Sequence, residues 1–303
     1  MHTPVEGPRP YTPEWYDSLT LRIGASEAAA ACGVSEDRQP LDIYLEKTGQ
    51  RPPFEGNEFT RRGHRFEPFL ALEYSERTGV ELEANLPTYF HPQHRFIAAS
   101  PDRWWKSDPK HLVELKCCNW RRAQKLGPEG SDEVFDDWAM QAHQQMAVLD
   151  AHTCDVFVMV DLHTYRHYLV ERSDKVIALL IEKERELWRR IVELDPPEPN
   201  WDHANTLELM KSMYGQAGTG LVELSRTAVD SWLEYQKLGD MIRRYDKERD
   251  KLKARLLGAI GEAGMGYFPG GKRGIAKTIV PIAGHVRKPT TSLRLIEKEI
   301  PRG

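Results

Sequence analysis

The chain has 303 residues, 40% of them hydrophobic and 29% charged, with a net charge of −4. That length supports a full core plus a smaller second domain, and no run approaches the roughly 18 apolar residues of a membrane span, which excludes an integral helical membrane protein. The charge is uneven: residues 201–303 hold 18 Lys and Arg against 12 Asp and Glu, so the first 200 residues are strongly acidic. Net charge alone neither supports nor excludes a nucleic-acid partner, because a cation held by carboxylates reverses the local sign.

The opening segment is Pro-rich and polar and lacks the apolar run of a secretory leader. Cys32, Cys117, Cys118 and Cys154 show neither CxxC spacing nor a disulfide framework, so reduced thiols and a cytoplasmic location are expected. A helix is expected over Ser26–Cys32, with Ser26 as its N-cap, then helices over Leu41–Thr48 and Gly63–Arg77, the last containing Pro68. Strand patterns follow at Pro87–His91, Arg95–Ala99 and His111–Lys116, punctuated by HPQH and the polar KSDPK. Trp138–Leu149 has helical spacing, Asp155–Asp161 reads as a buried strand, and His163–Val170 is expected to pair with it as a hairpin. Ser173–Leu194 is a charged amphipathic helix that ends the first domain. This order predicts an α/β core with a central mixed sheet flanked by helices.

Three prolines within Asp195–Asn200 mark a linker over 196–200, which divides the chain into domains 1–195 and 201–303. Beyond it, Leu224–Ala263 is one long helix, with Trp232, Tyr235, Leu238, Ile242, Tyr245, Leu252, Leu256 and Ile260 at helical intervals. Short strands are expected at Gly274–Ile282 and Thr291–Ile300, in a tail rich in Lys and Arg, so the extension is α+β.

The informative chemistry lies in Ser100-Pro101-Asp102 and, twelve residues later, Glu114-Leu115-Lys116. A strand puts residues 114 and 116 on one face, and a turn carrying Asp102 just before it brings a second carboxylate beside Glu114. Asp102, Glu114 and the Leu115 carbonyl are hard oxygen ligands suited to Mg²⁺ or Mn²⁺. Lys116 then stands where it orients water and stabilises an anionic transition state. Taken alone, D…ExK is also what an ordinary hairpin with surface charges displays. Glu67 changes the weighing by adding a third carboxylate at a helix start, and the apolar Leu112-Val113 argues that the strand is buried, where unpaired charges are expensive.

The ordered set Ile23-Gly24-Ala25-Ser26-Glu27, Gly63-His64-x-x-Glu67-Pro68, Ser100-Pro101-Asp102, Glu114-Leu115-Lys116-Cys117 and Gln141-Ala142-His143-Gln144 resembles the PD-(D/E)XK nucleases. Within them it is similar to the YqaJ-like viral recombinases of the lambda exonuclease type, over about residues 15–190. The resemblance implies that Asp102, Glu114 and the Leu115 carbonyl bind metal. It also makes Glu67 an aid to the metal or water, Lys116 the catalytic lysine and Gln141 a support from its helix. The Gly-Ala-Ser turn with a nearby arginine would hold a DNA phosphate. Ser26 suits that role at a helix N-terminus, and Arg22 is the candidate arginine, although it sits closer to the serine than the family pattern has it. Gln145 stands where an aromatic residue is frequent. His64 is placed near the site, with helix packing as its bland alternative.

The implied activity is Mg²⁺- or Mn²⁺-dependent hydrolysis of duplex DNA from a free end, in the 5′-to-3′ sense. Its setting is phage-type recombination in a bacterial cytoplasm, with a single-strand annealing protein as partner and a homo-oligomer as a further possibility. An endonuclease on the same core, or a catalytically silent DNA-binding scaffold, are the rivals. Gly266-x-x-x-x-Gly271-Lys272 lacks the Ser/Thr of a phosphate-binding loop and reads as a turn, and His163 with His167 lacks the context of a zinc site.

Overall fold

The structure is a computed structural model that describes residues 3–53, 56, 58–215, 220–269 and 273–276. Two compact units divide the chain, Met1–Met213 and Tyr214–Gly303. The strands of the first unit are β1 (Val5–Glu6), β2 (Ile23–Gly24), β3 (Leu82–Glu83), β4 (Tyr89–Phe90), β5 (Ile97–Ala99), β6 (Arg103–Trp105), β7 (Asp108–Cys118), β8 (Thr153–Val160) and β9 (Thr164–Glu171). Its helices are α1 (Pro13–Ser18), α2 (Ala28–Cys32), α3 (Pro40–Lys47), α4 (Glu58–Thr78), α5 (Trp120–Ala123), α6 (Asp136–Leu149), α7 (Asp174–Glu193) and α8 (Thr206–Tyr214).

The fold is the expected mixed α/β arrangement. One sheet runs β3-β6-β7-β8-β9 and a second β1-β4-β5-β2. β7 and β8 are parallel, which requires a crossover that α6 provides, whereas β8 and β9 form an antiparallel hairpin. Period-two alternation then sorts the side chains. Leu112, Val156, Val158 and Tyr168 pack with Ala142 and Met146 of α6, while Val113, Leu115, Phe157 and Met159 pack with Leu70 and Tyr74 of α4. α7 is capped by Ser173, whose Oγ accepts from the Val176 amide at 3.4 Å, and it buries Ile177, Leu180, Leu187 and Ile191 along one stripe.

Several expectations change in detail. Ser26 is not a helix cap. It lies inside a 3-10 turn, Ala25–Glu27, whose first position follows Gly24, and the Gly24 amide donates to Glu27 Oε2 at 2.8 Å. The central strand is longer than expected, because the polar stretch turns at Lys106-Ser107 and Asp108 already belongs to β7. The first unit also runs past the Pro-rich segment instead of ending at it. Gln39 Nε2 donates to Asn205 Oδ1 and Thr206 Oγ1, both at 2.9 Å, and Leu209 of α8 joins the core of Leu187 and Ile191. The boundary therefore falls after Met213.

In the second unit, α9 (Arg226–Ile260) is a 35-residue helix with no buried residue. β10 (Met265–Tyr267) pairs antiparallel with β11 (Gly274–Ala276). The expected strand over Gly274–Ile282 is thus seen only at its start. Thr291–Ile300 and most of the basic tail lie outside the described residues.

Candidate active site

β7 carries Glu114 and Lys116 on the face that α6 covers, and α6 answers with glutamines at positions 141, 144 and 145, spaced to share one helix face. Glu114 is 1% exposed, and both of its oxygens are engaged. Oε1 accepts from Lys116 Nζ at 2.6 Å and from Gln141 Nε2 at 2.5 Å, and Oε2 accepts from Gln145 Nε2 at 2.7 Å. Lys116 Nζ also donates to Gln141 Oε1 at 2.9 Å. The buried charge is therefore fully hydrogen-bonded, as a charge in that place must be.

Asp102 follows β5 and folds back toward β7, where its Oδ2 accepts the Leu115 amide at 2.8 Å. Burial pushes its carboxyl well above the usual carboxylate range, and the charges of Glu114 and Glu67 push it further; Lys116 and the Leu115 amide pull the other way. Burial alone would depress the Lys116 ammonium, but Glu114 and Asp102 outweigh it and leave its pKa raised. Glu67 lies on α4 next to Pro68, whose ring nitrogen has no hydrogen to give the preceding helical turn. The Glu67 Oε1 accepts from Arg103 at 2.6 Å, and the same guanidinium nitrogen donates to the Asp102 carbonyl at 2.5 Å. The four acidic and basic residues singled out from the sequence are thus brought together, with Glu67 attached through Arg103.

The candidate phosphate residues sit one strand over. Arg22 precedes β2, which pairs in parallel with the β5 strand that leads to Asp102. Gln144 Nε2 fastens the two strands by donating to the Ile23 and Ala98 carbonyls, each at 3.0 Å. Arg22 is 3% exposed, its Nε donates to Ser18 Oγ at 3.1 Å, and its guanidinium lies 5.1 Å from the Trp15 ring. Its Nη2 is buried without a hydrogen-bond partner, and burial lowers its pKa. Ser26 is exposed at the adjoining turn. His64, one helical turn before Glu67, is exposed, and its ring packs 5.1 Å from Tyr11 without a hydrogen bond to the acids.

Sequence reasoning missed Arg103, placed Gln144 in a motif without a role of its own, and noted Gln145 only as a departure from a pattern. The signal for the glutamines was present, since polar residues at i, i+3 and i+4 on a helix covered by a sheet must find partners. Tyr11 was missed as well. Its hydroxyl pKa is raised by burial and then by Glu67, Asp102 and Glu114, so it stands within the field of all three acids.

A divalent cation suits this donor set. Asp102 and Glu114 are hard oxygen donors whose mutual repulsion a cation relieves, and Mg²⁺ typically takes only one or two carboxylates and keeps its waters. Among the described residues no three His, Cys, Asp or Glu side chains stand together as ready ligands; Arg103 bonds Glu67, and the glutamines and lysine bond Glu114.

Residues 14–152 match the model of the YqaJ-like viral recombinase domain. The chain is 23% identical over 260 residues to the "uncharacterized protein YqaJ" of Bacillus subtilis (strain 168), an alignment covering 84% of this chain and 80% of that protein. It is 26% identical over 151 residues to the "uncharacterized protein R354" of Acanthamoeba polyphaga mimivirus, which covers 47% of this chain and 27% of that protein. Among solved structures, the alkaline exonuclease LHK-Exo of Laribacter hongkongensis superposes with a TM-score of 0.51 at 23% identity, over 61% of this chain and 94% of that one. LHK-Exo in complex with dAMP gives 0.50 at 24% identity, over 60% and 96%. The fold of the first unit is therefore similar to that of LHK-Exo, and residues 14–152 are similar to the YqaJ-like viral recombinase domain.

Proposed function

We propose that the protein is a metal-dependent DNA nuclease that hydrolyses phosphodiester bonds from a free end of duplex DNA. The observation that carries this reading is the joining of Asp102, Glu114 and Lys116 at the middle of the sheet, with Gln141 and Gln145 holding Glu114 from behind. Asp102 and Glu114, with the Leu115 carbonyl and with Glu67 once released by Arg103, are the groups that would hold Mg²⁺ or Mn²⁺. Such an ion supplies Lewis acidity and lowers the pKa of water. Lys116 offers an N–H toward developing negative charge, fixed in place by Gln141 and therefore needing no reorganisation. Arg22, with an unpaired buried Nη2, and the exposed Ser26 supply donors for a backbone phosphate.

The exonuclease form of the reading draws on LHK-Exo, an alkaline exonuclease of the same fold that is known in complex with the mononucleotide dAMP. The recombinase domain match supports a recombination setting, and within it the proposal extends to the 5′-to-3′ sense and a single-strand annealing partner. Incubation with linear and covalently closed circular duplexes, with Mg²⁺ or with EDTA, tests the proposal. Loss of linear DNA only, dependent on metal, is expected, and 5′- and 3′-labelled ends report the direction. Cutting of closed circles would replace the exonuclease by an endonuclease, and no cutting of either with Mg²⁺ or Mn²⁺ would leave a DNA-binding scaffold.

A further inference from the structure

The recombinase domain match ends at residue 152 and makes no use of α9. This helix is 35 residues long, about 52 Å, yet nothing along it is buried. Helices in water owe most of their stability to packing of an apolar face, so a helix of this length with such a face calls for a partner. The face is regular. Tyr235, Leu238, Ile242, Tyr245, Leu252 and Leu256 follow a strict alternation of four and three once Arg249 takes its place between Tyr245 and Leu252. Their exposure runs from 46% at Leu256 to 66% at Tyr245. Spacing of this kind is a heptad seam, with Tyr235, Ile242, Arg249 and Leu256 at the first core position and Leu238, Tyr245 and Leu252 at the second.

We infer that α9 is a self-association helix, pairing antiparallel with the same helix of a second copy of this chain. The single charge in the seam decides the orientation. In a parallel pair, first-position residues face their own copies, so Arg249 would meet Arg249 in an apolar core. In an antiparallel pair, first positions face second positions. Centring the pair between residues 243 and 244 then sets Tyr235 against the partner's Leu252, Leu238 against the partner's Arg249, and Ile242 against the partner's Tyr245. That centre is also the middle of α9, so the two helices overlap along their whole length. Each arginine lays its aliphatic stem on a leucine and carries its head to the rim. The flanking positions agree, since the same register sets Glu234 beside the partner's Arg255 and Trp232 beside the partner's Lys253, each contact occurring twice by symmetry.

Sedimentation equilibrium of the full chain tests this directly. Leu238→Glu with Leu252→Glu should halve the particle mass relative to wild type, whereas Lys247→Glu, on the opposite side of the helix, should leave it unchanged. Far-UV circular dichroism checks that the nuclease unit stays folded. A charge exchange supplies the second measurement: Glu234→Arg should weaken association several-fold, and adding Arg255→Glu should restore it. A monomeric wild type, leaving the seam to some other protein, overturns the inference, as does a mass indifferent to the double glutamate variant. Failure of the exchange to restore association overturns the antiparallel register. None of these outcomes depends on nuclease activity.

Discussion

Two aspartates on neighbouring parts of one fold meet opposite treatment. Asp102 reaches β7 among other acids, and burial with the charges of Glu114 and Glu67 drives its carboxyl upward. Asp155, on β8, points to the α4 side of the same sheet and is 2% exposed. There Tyr74 donates to its Oδ2, and the Nε2 atoms of His111 and His167 lie 3.1 and 3.0 Å from its oxygens. Burial would raise this carboxyl too, but the histidines and the tyrosine outweigh it and its pKa falls to about 2. One aspartate is left electrostatically unsatisfied and the other is satisfied by its protein neighbours. In the proposed reading a cation neutralises Asp102, whereas Asp155 is neutralised by its own protein.

The largest expected effects break the unsatisfied side. Asp102→Asn and Glu114→Gln each remove a formal charge while conserving shape. Both should abolish Mg²⁺ binding in calorimetry and cleavage together, and unchanged metal affinity in either would remove that residue from the ligand set. Lys116→Ala comes next, with turnover expected to fall by about 10²–10³-fold while metal still binds, as for loss of a pre-positioned donor to developing charge. Wild-type rates would take Lys116 out of the chemistry. Gln145→Leu is gentler. It leaves Glu114 Oε2 without its 2.7 Å donor, and an outer partner of this kind is worth roughly 10–100-fold in metal affinity or rate. An effect confined to stability would make Gln145 a packing residue alone.

The unsatisfied side was the more legible in sequence, for a physical reason. Glu114 and Lys116 are two residues apart on one strand, so their shared face follows from strand geometry without any knowledge of the fold, and Leu112-Val113 signalled burial. Asp102 needed only a short return of the chain. Arg103 was hidden because its partner Glu67 is 36 positions away on another element, although strand pairing sets Arg103 itself against Val113. The Asp155 cluster was hidden for the same reason. It gathers one residue from each of β7, β8 and β9 with Tyr74 from α4, and only the register of those strands brings His111 and His167 to Asp155. The helix α1 was readable and overlooked: Thr12 caps it, accepting from the Trp15 amide, and Pro13 opens it. Ser26 was misassigned as a cap because a Ser-Glu-Ala-Ala run fits one, whereas Gly24 and the Glu27 carboxylate had already supplied the turn.

The smallest effect is expected from the satisfied side, and it appears in stability rather than catalysis. Asp155 has a folded pKa of about 2, below the unfolded value near 4. A depressed carboxyl stabilises the fold above its unfolded pKa and loses that contribution as pH falls through the folded one, here between about pH 4 and pH 2. The shift corresponds to about 2 kcal/mol, which Asp155→Asn should forfeit at neutral pH while flattening the acid limb of the stability curve. His167 moves oppositely. Its pKa is raised, chiefly by Asp155, so its contribution is complete below the unfolded value and fades as pH climbs through the folded one. Its ring is partly solvent-exposed, which screens the effect. Urea melts of wild type, Asp155→Asn and His167→Gln across pH 2 to 9 should therefore show the aspartate acting at the acid end and the histidine on the neutral-to-alkaline side. Because the cluster lies on the face of the sheet away from Glu114, metal affinity should be the same in all three proteins. A shift in that affinity on changing Asp155 would erase the distinction between the two sides.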